Sequence, residues 1–258
     1  MIDLHCHILP GIDDGPQTLA DSLAIARAAV AAGTRTIVAT PHVSWEYPGV
    51  DADVVASGVA TVQDALRAEG IPLELRTGAE IAMTRATDLS EEELARLRLG
   101  GGPWLLVECP LSPTPSLAFE AGCGRLVEQG HRLVLAHPER SPMMQRDPAL
   151  LERLVGHGAL CSVTAGALVG RFGSTVERFA RDLVRRGLGH DVASDAHSTR
   201  RRPPSITPEL HDAGFGAQAH WLARDVPRAV LDGTEVPSAP AMPPAEKRGL
   251  AGLLARRA

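Results

Sequence analysis

Seven short apolar runs, each closing on glycine, proline or a polar residue, punctuate this chain and constrain its fold more than any other feature. They fall at 1–7, 36–41, 73–78, 104–109, 132–137, 159–164 and 189–195. Brief, continuously apolar runs of this kind are what strands buried on both faces of a parallel sheet require. Helical periodicity fills the intervals. The first helix begins at Thr18, whose hydroxyl suits an N-cap with Asp21 three positions on, and stops at Gly33. Further helices are expected at 54–69, 91–98, 116–129, 148–156, 174–186 and 208–213.

About seven βα units with short connections in 258 residues suggest one domain built as a closed or nearly closed barrel. A doubly wound open sheet is the alternative, although the first strand lacks the GxGxxG turn of its nucleotide-binding form. With 44% hydrophobic residues the chain can bury a core of that size. A net charge of −5, with a single lysine at Lys247, offers no global basic surface, so no nucleic-acid partner is expected. No leader-like segment opens the chain and no apolar run reaches membrane-spanning length, so a soluble, cytoplasmic protein without membrane insertion is expected. The domain is expected to occupy 1–232. Residues 233–258 read as a Pro/Ala-rich linker followed by a short cationic helical tail.

The ionisable residues sit at strand ends. Run 1 closes on His5 and His7, run 2 leads into His42, run 3 into Glu80, run 4 ends at Glu108, run 5 at His137, and run 7 at Asp195 and His197. In a parallel barrel these C-terminal ends share one rim, where active sites are built. Any one of them alone reads as a capped loop or a satisfied core group; six strand ends together do not. Imidazole and carboxylate without thiolate suit zinc, manganese or iron(II), and carboxylates can bridge two ions. His5 and His7, two apart on a strand, leave the same face, which turns Cys6 to the other.

The four cysteines, at 6, 109, 123 and 161, form no CxxC pair and suit a reducing compartment. A cysteine phosphatase needs an arginine six residues after its nucleophile. Ile12, Pro115, Gln129 and Ala167 stand there instead. Cys6 therefore reads as a small buried apolar residue.

In this order, DLHCH, TPH, TGAE, LAHPE and SDAH resemble the PHP (polymerase and histidinol phosphatase) superfamily of metal hydrolases. HILPGIDDGP, AHPER, TAGALVGRFG and ASDAHSTRRRPP are similar to its bacterial manganese-dependent tyrosine-protein phosphatase branch, the CpsB/CapC/YwqE type found with capsule and exopolysaccharide loci. The likeness spans roughly 1–230. It implies a distorted TIM-like (β/α)7 PHP barrel in a single domain, holding three divalent ions, manganese before iron or zinc. His5, His7 and Asp195 would take the first ion and Glu80 would bridge to the second. Glu108 and His137 would complete the second, and Asp14, His42 and His197 the third. Related histidinol phosphatases usually carry histidine at the Asp14 position, and Asp13 is expected to shape the turn.

The resemblance further implies that Arg140 and Arg202 bind the phosphate and stabilise transition-state charge. The expected reaction is direct hydrolysis of phosphotyrosine, with a bacterial tyrosine kinase of polysaccharide export as the partner. Hydrolysis of a small phosphomonoester such as histidinol phosphate is the alternative; a metal-stabilised, non-catalytic binding module is a third reading, of another class. Val43, Ser198 and Cys109 stand where the family usually has histidine, asparagine and phenylalanine. Trp45 and Tyr47, after His42, are the rings expected to stack on the substrate.

Overall fold

A computed structural model of the chain describes residues 1–112 and 115–242. Nine strands are present: β1 Ile2–Cys6, β2 Thr36–Ala39, β3 His42–Val43, β4 Glu74–Thr77, β5 Glu80–Ala82, β6 Trp104–Glu108, β7 Arg132–Ala136, β8 Leu160–Thr164 and β9 Asp191–Ala193. All pair in parallel, in two sheets ordered β1-β2-β4 and β3-β5-β6-β7-β8-β9.

The second and third expected strands are each followed by a further short strand, β3 and β5, beyond the expected bounds. Pro41, which has no N–H to give to a ladder, separates β2 from β3. Gly78 stands between β4 and β5, where a Cβ would lie 2.6 Å from Val38 Cγ1. Glu80 N donates to Pro41 O (3.1 Å) across the breaks. The last strand returns to the first: Asp195 N donates to His5 O (2.8 Å) and His7 N to Ala196 O (2.9 Å). The two parallel sheets thus touch at these breaks and where the chain after β9 meets β1, a distorted (β/α) arrangement of mixed α/β class.

The helices form where local signals place them. Leu19–Ala31 is capped by Thr18, whose hydroxyl accepts from Asp21 N. Ala52–Ala68 starts two residues earlier than expected because Asp51 caps it by accepting from Asp53 N and Val54 N. Pro142–Arg146, the π-helical turn Trp221–Asp225 and Val226–Asp232 have no counterpart in the sequence reading. All three are short, and Pro142 opens the first while Pro227 lies in the third, which disguises a helical pattern there.

The core lies between strands and helices, with Trp104, Phe119 and Phe215 its largest fully buried side chains. All four cysteines are free and buried. Residues 233–242 do not leave the body as a linker. Trp221 Nε1 donates to Pro237 O (3.0 Å), Gln218 Nε2 to Ala241 O (2.7 Å), and Val236 and Met242 pack on the core. The expected tail helix lies outside the described residues. Among those described, no helix is long and apolar enough to cross a membrane.

Candidate metal centre

Every expected ligand arrives at the C-terminal rim. His5 and His7 project from one face of β1 with their Nε2 atoms 3.2 Å apart, while Cys6 turns away, Sγ lying 3.8 Å from Ala196 O. Glu80 is the hub. Its Oε2 is 3.1 Å from His5 Nε2, 3.3 Å from His7 Nε2 and 3.2 Å from His42 Nδ1, and its Oε1 is 2.6 Å from His137 Nε2. Asp195 Oδ1 lies 3.4 Å from His5 Nε2 and 3.6 Å from His7 Nε2. On the outer side, Asp14 Oδ1 is 3.1 Å from His197 Nε2 and 3.6 Å from His42 Nε2.

Four sets of side chains offer atoms close enough to share an ion: His7, Asp14, His42 and His197; His5, His7 and Glu80; His5, His137 and Asp195; and His42, Glu80 and Glu108. The outer set contains the expected trio with His7 added. Elsewhere the sets interlock, with Glu108 beside His42 and Glu80, and His137 beside His5 and Asp195. His5, Glu80, His137 and Asp195 are each no more than 2% exposed, whereas the Asp14 side chain is 46% exposed, so the cluster opens to solvent on that side.

Local backbone features aim these groups. His137 and Asp195 are the two non-glycine residues at positive φ among those described, at 35° and 51°. Such conformations are costly and concentrate at functional sites. His197 N and Ser198 N both reach Arg202 O, at 3.0 and 3.2 Å, which folds the following loop back and returns Arg202 to the cluster. Gly15 in GIDDGP is required by close approach, since a Cβ there would sit 2.7 Å from His7 O.

The electrostatics set acids and bases against one another. Burial opposes charge on Glu80, but His5 and His137 hold its carboxyl well below the usual range. Burial together with the nearby Glu80 carboxylate pushes Glu108 up to about 8. Burial also works against His7, whose bonds to Asp13 and Glu80 nonetheless carry it to about 10; His197, buried and facing His7, drops to about 4. Glu80 Oε2 and Asp195 Oδ1, both buried, have no hydrogen-bond partner although imidazole nitrogens surround them. A nitrogen and oxygen donor set with orphaned carboxylate lone pairs converging on one space fits hard or borderline divalent cations.

Two arginines border this cluster. Both Arg140 Nη1 (2.5 Å) and Arg202 Nη2 bond to Asp195 Oδ2. Asp195 therefore turns one oxygen to the ligand cluster and the other to the guanidinium pair. Burial opposes its charge, yet His5 and the two arginines hold it well below the usual carboxylate range.

Three contributors escape the sequence reading. Asp13 shapes the turn, as expected, by accepting from Gly15 N at 2.9 Å. It also lies 2.7 Å from His7 Nδ1 and accepts from the backbone N of His42 at 3.1 Å, so it orients the His7 imidazole and fixes the backbone that carries His42. Phe172, from TAGALVGRFG, lies under Arg140 with its ring centre 4.6 Å from the guanidinium carbon. Asp3 joins β1 to the turn before Asp195, accepting from Ser194 N (3.0 Å) and Ser194 Oγ (2.6 Å). A second acid beside Asp14 and an aspartate two residues before His5 are visible signals; the Phe172 contact has none. The rings of Trp45 and Tyr47 are already occupied, by Arg85 and His42 respectively. Burial raises all four thiols, Cys123 to about 12, which removes the cysteine nucleophile.

A family model described as "Capsular polysaccharide synthesis, CpsB/CapC" matches residues 1–212. The chain is 37% identical over 226 residues to the tyrosine-protein phosphatase YwqE of Bacillus subtilis, covering 86% of this chain and 88% of that protein. It is 31% identical to the CapC protein of Staphylococcus aureus over 79% of each chain. A solved structure from work on YwqE of Bacillus subtilis and CpsB of Streptococcus pneumoniae, described as unique metal-dependent tyrosine phosphatases, superposes with a TM-score of 0.80. It is 34% identical and covers 96% of this chain and 100% of its own.

Proposed function

The chain belongs to the CpsB/CapC family of capsular polysaccharide synthesis proteins, and from that premise we propose that it is a metal-dependent protein-tyrosine phosphatase. One observation carries the reading: a buried cluster of nitrogen and oxygen donors adjoins an arginine pair through a single carboxylate, Asp195. Cation-binding and anion-binding groups set side by side are what a phosphate monoester needs.

His5, His7, Asp14, His42, Glu80, Glu108, His137, Asp195 and His197 would hold three divalent ions, manganese before iron or zinc. Bound there, such ions supply Lewis acidity and water of lowered pKa. Arg140 and Arg202 grip the phosphate oxygens and stabilise the charge that builds on them. Phe172 keeps the Arg140 guanidinium flat, and Asp13 keeps His7 turned inward. A tyrosine leaving group, with a phenol pKa near 10, departs with little proton assistance. The buried thiols leave no route to a cysteine phosphoenzyme. The names of the relatives favour phosphotyrosine over histidinol phosphate. The substrate we infer is a bacterial tyrosine kinase of polysaccharide export, met in the cytoplasm.

The test is phosphate release from a phosphotyrosine peptide by chelated protein restored with one metal at a time. His137→Ala should lose metal and activity together; Arg140→Ala should keep metal and lose rate. Activity that survives EDTA but not iodoacetamide would refute the reading.

A further inference from the structure

We propose that Arg85, held over Trp45 just beyond the strands that carry His42 and Glu80, binds an anionic group flanking the phosphotyrosine of a peptide substrate. The inference rests on the phosphatase reading above and adds to it a preference for acidic sequence.

The placement follows from the sheet. His42 lies opposite Glu80 in the β3–β5 ladder. β3 leads into the loop that carries Trp45 and β5 into the helical turn Met83–Ala86, and the two meet where Arg85 Cζ sits 4.5 Å from the centre of the Trp45 ring. Trp45 is three residues past His42, within about 11 Å of it at full extension of roughly 3.5 Å per residue. An extended peptide advances about 3.4 Å per residue, so a side chain two or three positions from the phosphotyrosine reaches that distance.

The loop is built to hold its shape. Tyr47 N donates to Ser44 O (3.2 Å), Glu46 N to Ser44 Oγ (3.2 Å) and Val50 N to Tyr47 O (3.0 Å), and the Tyr47 ring stacks within 5° of the His42 plane. Trp45 is 57% exposed, an unusual place for an indole, and its face is spent on the guanidinium. Arg85 forms no ion pair among the described residues, so its N–H edges are open to an anion. The acids nearby make no direct ion pair with it. Glu93 feels its charge but is engaged by Ser90 N (2.9 Å) and Ser90 Oγ (2.8 Å), and Glu46 is exposed to solvent. In a protein of net charge −5, a free cation fixed just beyond the strands that carry His42 and Glu80 marks a local attraction for negative substrate.

A flanking carboxylate and a second phosphate share this chemistry, so three peptides form the test: phosphotyrosine with neutral flanks, with glutamate flanks, and with a second phosphotyrosine. Manganese-loaded protein should show kcat/KM about three- to tenfold higher for an anionic peptide than for the neutral one, and the advantage should shrink at high salt. A preference in either anionic arm supports the proposal, and its size assigns the source. Arg85→Ala should erase the preference and Arg85→Glu should invert it, while Trp45→Ala should weaken it by freeing the guanidinium. Turnover of p-nitrophenyl phosphate by the same proteins reports the catalytic centre. Equal kcat/KM across the peptides in the wild type, or variants that slow p-nitrophenyl phosphate as much as the acidic peptides, would overturn the inference. Absence of phosphate release from every substrate would instead overturn the phosphatase reading.

Discussion

Replacing Asp13 with asparagine should disable the metal centre while leaving the fold in place. The Asp13 side chain is 1% exposed and meets three nitrogens: Gly15 N at 2.9 Å, His42 N at 3.1 Å and His7 Nδ1 at 2.7 Å. A carboxylate only accepts, so Nδ1 of His7 carries a proton toward Asp13, which leaves Nε2 as the nitrogen whose lone pair a bound cation would take. An asparagine amide at the same place has one accepting and one donating end. If its NH2 faces His7, the imidazole proton is driven to Nε2, where it blocks a ligand position. If the amide flips, the NH2 faces the Gly15 N–H. Either orientation leaves one buried donor unpaired, at about 1–3 kcal/mol. Loss of such an orienting partner typically costs 10–100-fold in metal affinity, about 1.4–2.7 kcal/mol. Competition with a chromogenic chelator measures that affinity, urea unfolding of the apo protein measures the fold, and ring 15N shifts of His7 report the tautomer. Asp13→Asn protein with metal affinity and turnover both within twofold of wild type would refute the orienting role.

Asp191 is buried, and burial pushes its carboxyl up to about 8, with Ser162 Oγ donating to it at 2.5 Å. The folded chain thus holds a proton that the unfolded chain releases near pH 4. Stability of the apo protein should fall as pH rises from about 4 to 8, by at most about 1.4 kcal/mol per pH unit, and Asp191→Asn should flatten that slope in urea midpoints. Gly15→Ala, forced 2.7 Å from His7 O, should cost about 1–3 kcal/mol in the same assay and weaken metal binding with it. A chain ending at residue 232 loses the acceptors of Trp221 and Gln218 and should be about 1–3 kcal/mol less stable than one ending at 242, with altered tryptophan fluorescence.

What could be read from sequence followed from rules that act along the chain. Alternation on a strand separates His5 and His7 from Cys6, and a parallel barrel gathers strand ends, so the strand-end candidates His5, His7, His42, Glu80, Glu108, His137, Asp195 and His197 were legible before any coordinates, whereas Asp14 came from the family resemblance alone. The strands β3 and β5, beyond Pro41 and Gly78, were hidden because segments of two and three residues are too short to show a period. Contacts between loops distant in sequence were hidden for a stronger reason. The Phe172–Arg140 and Arg85–Trp45 pairs depend on how far each loop travels beyond its strand, and no periodicity encodes that distance. Asp195 lies between these cases. Its position at a strand end announced a ligand, but only its left-handed backbone turn explains how one oxygen faces the imidazoles while the other takes both arginines. That division would couple the two halves of the centre: a cation held with the help of the inner oxygen would fix the carboxylate that aligns Arg140 and Arg202.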